Sequence, residues 1–285
     1  MEENKKAKKP KHKLANRHPF IASVLFSLVA FFAIQFPPIV AGSVAGNTDI
    51  GMIAAAAFSF IAMAVYKFRF RPDFEGMLRG GRPLLGFWLL SLFLVVWALH
   101  IVGTLALGED GLIPPLTGFC IALMAGFCEE TAFRGIGLSI LLRGMRSEKR
   151  ILHALLFTSA VFAVVHAANA AAGADISMTA VQVAAAFCMA LLLGASYIRS
   201  GNILPAIICH VLNDVVAFMG NPDTASSGIY TESATWTSLV GLSLYAVMGV
   251  IGLWLVRPEK RAEIRALWAM KWNEQSEANS CDEVL

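Results

Sequence analysis

Six residues of this 285-residue chain have the types and spacing to do chemistry: Glu129, Glu130 and Arg134, then His166, then His210 with Asp214. Glu130 and Arg134 are four apart, so on an α-helix they share a face and neutralise each other, with Glu in the favourable N-terminal place. Glu129 is turned about 100 degrees away and has no partner within its own helix. A carboxylate out of water and without a counter-charge takes up a proton readily, which suits it to general base work. His166 follows Phe162 by four residues, and the plainer alternative for it is a core histidine bonded to a backbone carbonyl. His210 and Asp214 repeat that spacing, with Asn213 on much the same face. Asp214 would fix the tautomer of His210, bind a cation, or donate a hydrogen bond if protonated.

The chain has no His-Glu-x-x-His zinc motif and no Gly-x-Ser-x-Gly elbow, and no Ser or Cys is placed beside a base. What remains is a Glu with one or two His in a cavity. That set suits activation of water for attack on an amide carbonyl, with a second His and an Asx side chain on the oxyanion. The alternative is that Glu129, His166 and His210 hold a divalent metal such as zinc. Two further readings stay open: a proton-coupled transporter that relays ions through the buried Glu, His and Asp, and a non-catalytic membrane scaffold. Against the carrier, the apolar segments show no paired broken helices in corresponding halves.

The elements that must position these residues are membrane helices. Hydrophobic residues make up 57% of the chain and charged ones 15%, and the mean hydropathy is +0.64; both are foreign to a soluble domain. Windows near the ~20 residues needed to cross ~30 Å of hydrocarbon predict an all-α polytopic bundle of eight spans. They fall at about 20–42, 50–66, 84–107, 116–142, 151–172, 178–198, 202–219 and 235–256. Pro37-Pro38 is expected to kink the first, and Pro205 is tolerated near the start of the seventh. The run from Phe20 exceeds a signal-peptide core of ~7 to 15 residues, so it reads as an uncleaved anchor. The domains are then a basic tail over 1–19, a transmembrane domain over 20–256 with its catalytic core at about 116–219, and a C-terminal tail over 257–285.

Basic residues supply an independent reading of orientation. Of the 23 Lys and Arg, all but Arg134 fall before the first span or after an even-numbered one, and the intervening loops hold none. The positive-inside rule therefore puts both termini in the cytoplasm. Counting ~1.5 Å per residue from the nearest basic markers, Glu129 lies ~21 Å, His166 ~24 Å and His210 ~16 Å into the membrane. Three separately encoded helices thus deliver ionisable groups to one layer. His100 and His153 fall at the interfaces and receive no role. The five cysteines include no Cys-x-x-Cys pair, so neither a disulfide framework nor a thiolate zinc site is expected. No long basic tract interleaves with aromatics, so nucleic acid is not an expected partner; the bilayer and a peptide or membrane-protein substrate are. The loop 67–83 reads equally as a segment in the headgroup layer or as a plain solvated loop with aromatic belt residues. The amphipathic tail 258–273, with Ile264, Leu267, Trp268 and Trp272 on one side, is expected to pack on the membrane surface.

The ordered set Glu129-Glu130-x-x-x-Arg134, Phe162-x-x-x-His166 and His210-x-x-x-Asp214 resembles the CAAX-protease and bacteriocin-processing (CPBP) intramembrane proteases, which include prenyl-protein endopeptidases. It covers about 90 residues, and the expected span count is also similar to the family's. The resemblance implies that Glu129 and His166 activate the water, that His210 and Asp214 bind the oxyanion, and that Glu130 with Arg134 supports the site. The family's last position is commonly Asn. Here it is Asp214, which fits an oxyanion role if it is protonated, or if Asn213 takes its place, or if the residue helps bind a metal.

Overall fold

The computed structural model describes residues 13–44, 57, 61, 80–107, 116–143, 149–219 and 229–282. Most of the expected second span at 50–66, most of the loop 67–83 and the start of the basic tail lie outside them. The described residues are all helical or irregular, without a strand. After a turn of helix at Lys13–Arg17 come α1 (Pro19–Val44), α2 (Pro83–Leu107), α3 (Leu116–Glu129), a π-helix (Glu130–Leu138) and α4 (Ser139–Arg143). They are followed by α5 (Lys149–Val165), α6 (Ala168–Ala171), α7 (Ile176–Ser200), α8 (Leu204–Phe218), α9 (Trp236–Leu255) and α10 (Pro258–Asp282).

Four of these, and not eight, are long and apolar enough to cross a membrane among the described residues: Pro83–Ala106, Lys149–Ala171, Ile176–Ser200 and Trp236–Leu255. Among the described residues the fold is therefore all-α and multi-pass, with four of the eight expected spans. The physical reason is local. The fourth expected span stops being an α-helix at Glu129, leaving 14 regular residues. The seventh begins only at Leu204 and runs 15 residues, about 22 Å of helix, which falls short of ~30 Å of hydrocarbon. The first is helical over Pro19–Val44, and Pro19–Ala33 is its apolar stretch among the described side chains.

The exposed faces confirm the bilayer as solvent. Along α2, Leu84, Trp88, Leu92, Val95 and Leu99 are exposed at helical spacing, while Leu90, Phe93 and Trp97 are buried on the other side. A face of that size in water would be an aggregation patch; against lipid it costs nothing. At the centre stands α7, which packs on α9, α5 and α2. Its N-terminus is capped by Asp175, whose carboxylate accepts from the Ser177 and Met178 amides. A hydrogen bond from the Ser177 hydroxyl, with those from the Met178 amide and the Ser233 hydroxyl, holds the carboxyl pKa down at about 2. Its C-terminus ends on Gly201 at φ +67, a left-handed conformation that costs glycine nothing.

The C-terminal helix does not lie on the membrane with its apolar side. Ile264, Leu267 and Trp268 are buried, Trp268 Nε1 donates to the Ile198 carbonyl at 2.9 Å, and Lys271 donates to the Gly201 carbonyl. Its amphipathic face is covered by the end of α7, which hydropathy alone could not tell from lipid.

Candidate active site

The interruption of the fourth apolar segment is where the charged residues are. The π-helix spans Glu130–Leu138, all of it buried. Widened turns of this kind release backbone groups from the regular ladder and occur often at functional sites. Here side chains take up some of the slack: Ser139 Oγ lies 3.5 Å from the Arg134 carbonyl, and Ser23 Oγ on α1 donates to the Gly137 carbonyl at 2.9 Å. Upstream, Gly126 lets α3 meet α8 closely. A Cβ there would stand 2.5 Å from Val211 Cγ2 and 2.9 Å from the Val211 nitrogen. That approach brings the helix of Glu129 against the helix of His210.

Glu130 and Arg134 pair as expected, at 3.0 Å, with both side chains almost wholly buried. Glu130 also does something the spacing did not show. Its Oε1 lies 2.8 Å from His210 Nδ1, so Glu130 and not Asp214 fixes the imidazole. A carboxylate accepts, so Nδ1 carries the proton and Nε2 is turned toward the two remaining carboxylates. Asp214 Oδ2 is 3.6 Å from Nε2 and Glu129 Oε2 is 3.9 Å from it. Both separations are too long for a direct hydrogen bond. His166 Nδ1 meets the Phe162 carbonyl at 3.0 Å. A carbonyl cannot donate, so the proton sits on Nδ1 and the Nε2 of the neutral ring is an acceptor.

Phe162 joins these parts. The Arg134 guanidinium lies 4.1 Å over its ring, and the ring meets His166 edge-on at 4.7 Å and His210 at 6.0 Å between centroids. The cation is thereby held by one carboxylate and one aromatic face in a place without water.

Glu129, His166, His210 and Asp214 all line one cavity of about 550 Å³. Glu130 and Arg134 are not among its lining residues and stand behind it. The rest of the wall is mostly apolar, with Met124, Met189, Phe31 and Leu242 among its residues. Sequence reasoning missed two tyrosines at this wall, Tyr230 and Tyr245. Tyr245 on α9 donates to Asn213 Oδ1 at 2.7 Å, and Asn213 Nδ2 donates to Asp214 Oδ1 at 3.1 Å. This chain holds Asp214 from a helix 30 residues away that carries no acid or base of its own, and no local spacing could have revealed it. Tyr230 arrives through the strap before α9, pinned where the Asp175 amide donates to the Tyr230 carbonyl at 2.9 Å. Burial pushes the Tyr230 phenol well above its usual range.

Among the described residues no group of three His, Cys, Asp or Glu side chains is arranged to hold a metal ion. His210 and His166 each commit Nδ1 to an acceptor and leave Nε2, which by itself is compatible with ligation. What does not fit a zinc centre is the lack of three such side chains gathered around one point.

The fold and site together define a multi-pass integral membrane protein of all-α architecture with a buried Glu/His cluster consistent with a catalytic site. Residues 111–216 match the family described as type II CAAX prenyl endopeptidase Rce1-like, and the chain carries a domain of this CPBP-related protease family. No curated protein and no solved structure matches the chain.

Proposed function

We propose that the protein is an intramembrane endopeptidase that hydrolyses a peptide bond within or beside the bilayer. The observation that supports this most is the convergence of Glu129, His166, His210 and Asp214 on one apolar cavity, inside the family-matched segment. In this reading a water molecule donates one hydrogen bond to the Glu129 carboxylate and the other to His166 Nε2. Glu129 takes the proton as the water oxygen attacks the carbonyl carbon. The electron pair of the carbonyl moves onto its oxygen, and His210, carrying protons on both nitrogens, donates Nε2–H to it while Asp214 balances the charge. Glu129 then passes its proton to the amide nitrogen as the C–N bond breaks, releasing an amine and a carboxylic acid.

Glu130 and Arg134 support the site from behind by fixing the orientation of His210. The same reading assigns the catalytic core to about 116–219 within a transmembrane domain over 20–256, flanked by tails over 1–19 and 257–285. The family resemblance supports a cell (cytoplasmic or inner) membrane location, and the distribution of Lys and Arg supports both termini on the cytoplasmic side. The substrate is a membrane-embedded or membrane-attached peptide.

The test is cleavage in proteoliposomes of a quenched-fluorescent peptide with a prenylated CAAX end, and of an unprenylated transmembrane peptide. Glu129→Gln, His166→Ala and His210→Ala should each lose cleavage of whichever reporter the wild type cuts. Cleavage that persists in all three would show that this cluster is not the site.

A further inference from the structure

Asn169 and Gln182 form a polar pair on the cavity wall that the reaction above does not use. Asn169 lies just beyond His166, its amide donating to the His166 carbonyl at 3.0 Å. Its Nδ2 donates to Gln182 Oε1 on α7 at 2.9 Å. Both residues line the cavity, on a stretch otherwise formed by Val165, Met178, Val181 and Ala185.

Each side-chain amide has a carbonyl and an NH₂, and their mutual bond uses one of each. Among the described residues, Asn169 Oδ1 and Gln182 Nε2 have no other partner. The pair therefore offers an acceptor and an NH₂ donor side by side, and exchanging the two amide orientations leaves the same complement. That is the complement of a peptide unit, which offers one N–H and one C=O.

The need for such a partner comes from the bilayer. A substrate that crosses or enters the membrane satisfies its backbone internally as a helix. To present one peptide bond to water it must open locally, and the freed N–H and C=O groups then lie against apolar walls, where each unpaired group costs several kcal/mol. We propose that Asn169 and Gln182 bind the main chain of the opened substrate and hold it extended beside His166, so that the cavity recognises unwound peptide backbone independently of side-chain identity. This rests on the protease reading above.

A competing role is purely internal: the amide pair ties the His166 turn to α7 and never touches substrate. Gln182→Glu separates the two, because a carboxylate still accepts from Asn169 Nδ2 but has lost the NH₂. Gln182→Met removes both bonds. The assay uses purified full-length protein in proteoliposomes and whichever reporter peptide it cleaves, remade with an ester in place of one backbone amide at each position except the scissile bond.

Binding of the backbone predicts that Gln182→Glu and Gln182→Met each lower kcat/KM about tenfold, chiefly through KM, with thermal unfolding unchanged in Gln182→Glu. It further predicts one ester position that costs the wild type about tenfold and costs Asn169→Leu little, because the ester lacks the N–H that Asn169 Oδ1 would accept and that bond is already gone in the variant. Unchanged kcat/KM in Gln182→Glu, or losses that multiply at every ester position, would overturn the inference and leave the protease reading standing. Cleavage that does not depend on Glu129 would overturn both.

Discussion

Glu129 and Glu130 are neighbours in sequence with identical side chains, and the fold gives them opposite surroundings. Glu130 is wholly buried and touches both Arg134 and His210. Glu129 faces the cavity, and its nearest basic atom is His210 Nε2 at 3.9 Å. The first is a fixed counter-ion, and the second is a carboxylate with room for water in front of it. Which of two adjacent acids can do chemistry is thus decided by which side of one helix the cavity is on. The same division separates the whole site into a rear layer, Glu130 and Arg134 behind His210 and Phe162, and a cavity-facing layer, Glu129, His166 and Asp214.

Substitutions that attack the rear layer should cost stability first. Glu130→Ala strands a buried guanidinium and removes the partner of His210 Nδ1, so it should destabilise by about 3 to 5 kcal/mol, read as a fall in Tm in detergent. Gly126→Ala pushes α3 off α8 and separates the two layers. It should cost about 1 to 3 kcal/mol, and cleavage should fall by more than the loss of folded protein explains. Tyr245→Phe leaves Asn213 Oδ1 without its donor at the cavity-facing edge, worth about 1 kcal/mol; the expected readout is a few-fold drop in cleavage with little change in Tm.

The smallest effect belongs far from the site. Hydrogen bonding from Arg199 holds the Glu263 carboxyl below its ordinary 4.5. A depressed carboxylate adds stability that is present above that value and is lost as pH falls through the depressed one. Glu263 is partly exposed, so Glu263→Gln should cost well under about 1 kcal/mol. The difference from wild type should shrink in acid and in high salt, without touching cleavage at neutral pH.

Much of this was legible in the chain. The apolar segments, the helical class and the six ionisable positions follow from hydropathy and from the cost of charge in lipid. The span count did not survive, because a hydropathy window assumes a regular helix throughout, and nothing in Glu130–Leu138 announces a π-helical turn. The hold on His210 was misassigned for a related reason. Spacing within a helix shows Asp214 at i+4, but Glu130 reaches it across 80 residues through the approach that Gly126 permits. Tyr245 and the Asn169–Gln182 pair were invisible on the same ground, since side chains that meet between helices leave no period in the sequence. The face of Ile264, Leu267 and Trp268 was visible, and what covered it was not.

The most direct test of the central claim compares the adjacent acids under one assay, with Glu129→Gln and Glu130→Gln in proteoliposomes measured for peptide cleavage and for thermal unfolding. The account predicts that Glu129→Gln keeps the wild-type Tm and loses cleavage by about 10² to 10⁴, while Glu130→Gln lowers Tm. Wild-type cleavage by a folded Glu129→Gln protein would contradict it, and loss of proton-coupled uptake in its place would point to a carrier.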